Sequence, residues 1–512
     1  MTDLSHGPRA LCIEALRRHL QACTGRAVQC IETHISWVLL DGVHAWKVKK
    51  PVQLEFLDFS DLATRRTACE DEVRLNRRLA PGLYLGVRPI HAGEDGPRLD
   101  GDGPTIDYAV WMHQFPADAR LSVRARAGTL DAATVDRLAA RLAAFHMQAA
   151  RAGPDAPYGG PASVLAETAR VLAGLRGRGA DSGLDAIARW CHDEEKRLLP
   201  RFAARKALGW IREGHGDLHL DNLVALGDAV TAFDCIEFDP GLRWIDVQAD
   251  IAFLTMDLHA HGRPDLAWRF LDRWLEDAGD FDGLAVHRYY AVYRALVRSM
   301  VALIRREEGL DAGDVTYLGT AGSLAEQGRA RLLITHGLSG SGKSFVTTRL
   351  LEAAGAVRVR SDVERKRLLG LHALDTTATL GPDLAYAPRT TQRTYARLGE
   401  AAAAALDGGL PVIVDAAFLR RAERSAFRDL ARAMRVPFTI LALDAEPATL
   451  RDRVAARHAR GDDPSEADVP VLTRQYTYRE PLGADERAIC IDVDTTQPTD
   501  IDAIASRWRA MR

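Results

Sequence analysis

The run Gly337-Leu338-Ser339-Gly340-Ser341-Gly342-Lys343-Ser344 limits the fold more tightly than anything else in the chain. An apolar, strand-like stretch at 331–335 precedes it and a helix-like stretch at 345–351 comes after. In that position GxxxxGK[ST] demands a strand, a tight loop and a helix, because glycine backbone N–H groups must wrap phosphate oxygens at a helix N-terminus. Gly337, Ser339, Gly340, Ser341, Gly342, Lys343 and Ser344 are therefore expected to bind a nucleotide. Lys343 is expected to serve the transferring phosphate and Ser344 a Mg²⁺ ion.

Beyond the loop, the chain has the pattern of a parallel α/β sheet. Strands are expected at 357–360, 411–414 and 437–442, with helices at 344–354, 389–407, 421–433 and 447–458. The 357–360 strand ends in Ser361-Asp362-Val363-Glu364-Arg365. A carboxylate at the carboxyl end of a parallel strand points into the crevice where substrates bind. Asp362 is thus a candidate catalytic residue for orienting an acceptor hydroxyl, and Arg365 a candidate grip on an acceptor phosphate. Asp415 ends an apolar strand and is placed to reach Mg²⁺. Arg453, Arg457 and Arg460 recur at helical spacing and form a candidate lid, whereas Arg451 reads as solvated surface.

A second signature lies upstream: His215-Gly216-Asp217-Leu218-His219-Leu220-Asp221-Asn222, with Asp234 further on. Phosphoryl transfer needs a group that orients the acceptor, ligands for Mg²⁺ and cations on the phosphates. Asp217 suits the first role. Asn222 and Asp234 flank two short apolar runs joined by Gly227-Asp228, a hairpin pattern that brings its open ends together. Two oxygen donors converging on one point suit Mg²⁺. His146, His219 and Asp250 read as structural: a helix-face histidine, a loop filler, and a carboxylate hydrogen-bonded to the loop.

Ahead of that loop, 10–30 begins with a short amphipathic helix. The stretches 35–40 and 43–49 flank Asp41-Gly42, a hairpin signal. A polar helix is expected at 62–79 and further strands at 84–90 and 106–114. From 130 to 330 the chain is mostly helical, and the Gly-, Asp- and Glu-rich stretch 306–329 marks a junction.

On the HGDxxxxN run and Asp234, residues 1–325 resemble the aminoglycoside phosphotransferase-like family, relatives of protein kinases. The resemblance implies an α+β kinase-like bilobal domain, with an N-lobe over about 1–112 and a helical C-lobe over about 116–310. It implies that the 45–48 strand carries the ATP-anchoring lysine, Lys47 or else Lys49. Its ion-pair partner would be Glu72 or else Glu70. The inter-lobe hinge would be 111–115, with Met112 and Gln114 at the nucleotide. No GxGxxG joins the first strands, so phosphate cover is expected near Thr33–Ser36. Residues 330–485 resemble P-loop kinases of the polynucleotide kinase, zeta-toxin and gluconate-kinase group, through the loop and the Ser-Asp-x-x-Arg piece. An α/β P-loop domain with a parallel sheet is accordingly expected over 326–512. The whole resembles bacterial two-domain fusions of these kinds.

The 512 residues carry seven cysteines without a CxxC, and a net charge of −3. Unpatterned thiols suit a reducing compartment. The charge gives no general attraction to nucleic acid or anionic membrane. Neither a leader pattern at the start nor an apolar run of about 20 residues is evident. The expectation is a cytoplasmic, Mg²⁺-dependent kinase with two nucleotide sites, using ATP, with GTP also compatible. One acceptor would be a small hydroxyl compound. The other would be a small molecule or a polynucleotide 5′-hydroxyl. The alternatives are one catalytic half with a nucleotide-binding regulator, or a nucleotide-sensing ATPase acting through a partner.

Overall fold

The computed structural model describes residues 11–54, 57–180, 183–309, 313–326, 330–377, 387–460 and 463–511. The leader-free reading of residues 1–6 lies outside these, as do parts of the expected junction. The fold class is the expected one, an α+β region preceding an α/β domain with a parallel sheet. Compactness divides the chain elsewhere than at 325. One unit comprises 1–130, 148–159 and 209–250, and the other 131–147, 160–208 and 251–512.

The first unit is built on a six-stranded antiparallel sheet. Its order is Gln29–Glu32, Ser36–Leu40, His44–Lys49, Thr105–His113, Tyr84–Gly93, Gly96–Arg98. The hairpin turns at Asp41-Gly42, with Gly42 at φ +89°, a conformation open to glycine. Strand alternation sends Lys47 and Lys49 to one face and Trp46 and Val48 to the other. The helix Leu62–Asn76, capped by Asp61 accepting from Thr64 N, supplies Glu72 to the lysines. The helix Ile13–Thr24 buries Leu16 and Leu20 with Trp46, Val48 and Ile90. It is the short helix expected at the start of 10–30, and Gly25 ends it in the left-handed region. The next strand, Gln29–Glu32, is exposed along its length and lacks any alternation to betray it.

In the second unit a five-stranded sheet has the order Val357–Arg360, Pro411–Asp415, Arg331–His336, Phe438–Asp444, Cys490–Asp494, every pair parallel. Leu333, Ile413, Leu441, Val346, Leu350 and Trp508 pack together against it. The fifth strand and the helix Ile501–Ala510 come from a segment whose Asp-rich sequence masks both elements. The 306–329 stretch holds a helix, Tyr317–Glu326, whose Tyr317 hydroxyl donates to Asp257 at 2.8 Å. The helix Pro264–Ala278 carries a strong apolar face, burying Phe270, Leu271, Trp274 and Leu275. Among the described residues no helix is long and apolar enough to cross a membrane.

Candidate active sites

The first site is assembled entirely within the first unit. Lys47 Nζ stands 3.0 Å from Glu72 Oε1 and 2.5 Å from Asp234 Oδ1. Glu70 is not part of this network and pairs with Arg66 on the surface. Lys49 is no mere substitute for Lys47. It is fully buried and pairs with both Glu72 and Glu237. Two lysines and three carboxylates thus form one chain of charge. Burial disfavours the charged form of Lys47, but Asp234 and Glu72 outweigh it and hold its pKa well above the usual value. Burial likewise works against Asp234, and Lys47 reverses the balance, lowering that carboxyl. Glu237 goes the other way, raised chiefly by burial.

The hairpin read from sequence pairs Leu223–Leu226 with Ala229–Ala232, and Phe233 N donates to Asn222 O at 3.0 Å. Asn222 and Asp234 are therefore neighbours at its open end. Asn222 Nδ2 donates to Asp217 Oδ2 at 2.8 Å and to Asp217 O at 3.0 Å. The amide nitrogen is committed to Asp217, which leaves the amide oxygen as the donor atom for a cation. Asp234 adopts φ +62°, and its N–H donates to the Tyr84 hydroxyl at 3.1 Å.

Asp250 accepts the backbone N–H of His215 and of Gly216, as expected from its position after the loop. His146 takes the Trp274 indole N–H at 3.3 Å inside the core, a structural role. His219 is more than a loop filler, since its Nε2 lies 3.2 Å from Asp217 Oδ2. Gln114 holds the Asp41-Gly42 turn, its Oε1 accepting from Gly42 N at 2.8 Å and its backbone N–H donating to Val43 O. Met112 packs with Val73 and Tyr84. Thr33 and Ser36 close a tight turn on each other. Tyr84 and Glu237 were missed, and Lys49, expected only as the alternative to Lys47, stands beside it. The spacing of Asp234 and Glu237 gave a signal for Glu237, but a buried tyrosine two strands away gives none.

The second site lies in the second unit. Gly340 and Gly342 take φ +85° and +80°, and a Cβ on Gly340 would sit 2.5 Å from Leu450 O. Lys343 Nζ donates to Gly337 O at 3.0 Å and Leu338 O at 2.8 Å, folded back on its own loop. Burial lowers its pKa to about 8, against the pull of Asp415 and Asp362. Ser339 N donates to Gln475 Oε1 at 2.8 Å. Thr347 Oγ1 donates to Asp415 Oδ2 at 3.2 Å, tying the strand end to the helix behind the loop.

A cavity of about 860 Å³ brings Lys343, Ser344, Asp362, Arg365 and Asp415 together with Arg453 and Arg457. Its volume lies near the upper end for a ligand pocket, roughly 300–1,000 Å³. Arg365 Nη1 is 2.5 Å from Asp362 Oδ1. Burial raises the Asp362 carboxyl, yet Arg365, Ser465 and Arg360 prevail and lower it. Arg453 holds Thr495 through Oγ1 and O, both at 2.8 Å, and Arg457 donates to Ala467 O at 2.9 Å. Gln475 and Thr495 were not foreseen, because nothing local marks them.

The oxygen donors at both sites fit Mg²⁺, a hard cation that takes one or two carboxylates and completes its shell with substrate phosphates. Asn222 with Asp234, and Ser344 with Asp415, supply such pairs.

Residues 332–482 match the family model described as an AAA domain. A choline kinase from Cryptosporidium parvum Iowa II covers 59% of this chain and 88% of its own at 11% identity, with a TM-score of 0.36. A sugar kinase from Janibacter sp. HTCC2649 covers 36% and 95% at 21% identity, with a TM-score of 0.28. Two mycobacterial sequences share more with it. The uncharacterized proteins Rv2004c of Mycobacterium tuberculosis (strain H37Rv) and Mb2027c of Mycobacterium bovis are each 30% identical over 446 residues, covering 86% of this chain and 88% of theirs. With that extent shared across both signatures, the chain belongs to the family of Rv2004c and Mb2027c.

Proposed function

We propose that the chain is an ATP- and Mg²⁺-dependent phosphotransferase with two nucleotide sites, one within 1–325 and one within 326–512. The observation that carries the reading is the single cavity joining Lys343, Ser344, Asp415, Asp362 and Arg365. It brings the 337–344 loop and the Asp362 carboxylate against one space, which supports a phosphate site beside an acceptor site. There Lys343 would hold the transferring phosphate and Asp362 would orient the acceptor hydroxyl. Arg365 would bind the acceptor, and Arg453 and Arg457 would close over the nucleotide. Ser344 and Asp415 would hold Mg²⁺, which supplies charge neutralisation to the phosphates.

At the first site Lys47, fixed by Glu72, would contact nucleotide phosphates. Asn222 and Asp234 would hold Mg²⁺, and Asp217 would take or orient the proton of a hydroxyl on a small polar molecule. Asn222 and His219 keep Asp217 pointed at that task. A second reading makes this first site a nucleotide-binding regulator, with Lys47 and Asp234 paired to each other.

The test is transfer from γ-labelled ATP to sugars, aminoglycosides, nucleosides and 5′-hydroxyl oligonucleotides, comparing wild type with Asp217→Ala and Lys343→Ala. Loss of a different labelled acceptor in each variant supports two working sites. If Lys343→Ala removes all transfer and Asp217→Ala none, the first site is the regulator. Steady ATP hydrolysis with no acceptor labelled at all would sink the kinase reading, because kinases exclude water until the acceptor is bound.

A further inference from the structure

The helix Pro264–Ala278 precedes the P-loop domain by more than a junction, yet two of its acidic residues, Asp272 and Glu276, are committed to that domain. Asp272 and Glu276 are one turn apart and so share a helix face. Asp272 accepts the backbone N–H of Arg358 at 3.2 Å and its Nη2 at 2.8 Å. Glu276 Oε1 lies 3.2 Å from Arg358 Nη2 and 3.2 Å from Arg360 Nη1. All four side chains are no more than 10% exposed.

The other end of each guanidinium reaches the site. Arg358 Nη1 donates to Thr348 Oγ1 at 2.7 Å and approaches Ser344 O and Thr347 Oγ1 at 3.4 Å. Thr347 in turn donates to Asp415. Arg360 lines the cavity, with Nη2 3.4 Å from Asp463 Oδ2. Arg367, on the helix that carries Asp362, donates to Glu276 O at 2.6 Å. A buried ion network of this kind is weak evidence for net stability, because desolvation offsets the Coulomb gain. What it does supply is register: each fork-shaped guanidinium ties one helix to a defined place in the site.

We propose that Asp272 and Glu276 are positioning residues of the P-loop site. Through Arg358 they set the turn bearing Ser344 and Thr347 against Asp415, and through Arg360 they set the strand end that enters Asp362. The P-loop domain is then incomplete without a helix from the preceding half of the chain. This rests on the reading of 337–344 and Asp415 as a Mg²⁺–nucleotide site.

The experiment is calorimetric titration of the full chain with ADP, with and without Mg²⁺, subtracting the Lys343→Ala isotherm so that only this site is read. A role confined to packing would shift both titrations alike or neither. Positioning of the Mg²⁺-binding turn instead lowers the gain in ADP affinity that Mg²⁺ brings. Asp272→Asn and Thr348→Val, which cut opposite ends of the Arg358 link, should each lower that gain roughly tenfold, the scale of one good hydrogen bond. The double variant should lose no more than either alone, since both act on one link. Glu276→Gln should move in the same direction, and Asp265→Asn, whose carboxylate pairs with Arg263 at the helix start, should match wild type. An undiminished Mg²⁺ gain in Thr348→Val, or additive losses in the double variant, overturns the inference. Thr348→Val removes only the hydroxyl, with its bonds to Arg358 Nη1 and to Ser344 O, so it decides the matter even where Asp272→Asn fails to fold. If wild type binds no ADP, or Lys343→Ala binds as wild type does, the nucleotide reading itself fails and the inference falls with it.

Discussion

Asp250 Oδ2 accepts the backbone N–H of His215 at 2.7 Å, while its other oxygen accepts that of Gly216 at 2.8 Å. The loop bearing Asp217 is thereby hung from a buried carboxylate on the next helix. Gly216 adopts φ +87°, and a Cβ there would come within 2.6 Å of Leu242 O. Asp250→Ala leaves two buried N–H donors without this acceptor, each worth about 1–3 kcal/mol. The expected outcome is a clear loss of stability in chemical denaturation. Asp217-dependent transfer should fall by roughly 100-fold, the scale on which a misplaced catalytic group fails. Lys343-dependent nucleotide binding should be unchanged.

The two lysines of the first site should separate stability from binding. Lys49 is the only cation of the described network fully enclosed with Glu72 and Glu237. Lys49→Met strands those carboxylates and should cost about 3–5 kcal/mol. Lys47→Met keeps Lys49 as partner to Glu72 and should cost less, while removing first-site nucleotide binding. Thermal unfolding with and without Mg²⁺–ATP, in a Lys343→Ala background, distinguishes the two.

The lowered pKa of Lys343, about 8, predicts a pH dependence of nucleotide affinity at the second site. Bound phosphates favour the ammonium and raise that pKa, so nucleotide binds the protonated lysine. Below pH 8 the lysine is already charged and binding needs no proton from this group. Above it, binding takes up a proton, and affinity should fall up to about tenfold per pH unit. Calorimetry with MgADP at pH 8.5 to 9, in buffers of different ionisation enthalpy, should show uptake that is absent at pH 7. No change in uptake between these conditions would count against the assignment.

Trp508, at 1% exposure, anchors the C-terminal helix to the five-stranded sheet. Trp508→Ala should cost about 3–5 kcal/mol through the cavity it leaves. MgADP should recover part of the loss, about 2.7 kcal/mol at 100-fold saturation, by binding only the folded state. Melting curves at increasing MgADP measure both effects.

Local chemistry carried much of this organisation in plain sight. Glycine spacing and a flanking strand and helix announce the P-loop. Asp41-Gly42 and Gly227-Asp228 each mark a hairpin, and the second brings Asn222 to Asp234 without any long-range information. Asp250's bond to the loop bearing Asp217 was also expected from its place after that loop. The choice between Glu70 and Glu72 was not, since both lie on one polar helix and only its rotation against the sheet sends Glu72 inward. The hold of Gln114 on the neighbouring Asp41-Gly42 turn was not legible either, since it is made by the register of two strands.

The P-loop, the 361–365 piece after its strand and the hairpins were thus written into the chain locally, because each rests on neighbours within a few residues and on local backbone geometry. Packing of the whole chain was needed to bring Lys49, Glu237 and Tyr84 to the first site, to complete the parallel sheet with a C-terminal strand, and to set Asp272 and Glu276 on Arg358 and Arg360. Those are pairings between residues tens to hundreds of positions apart. Their reason is the burial of charge, which forces a partner to be found wherever the packed chain happens to place one.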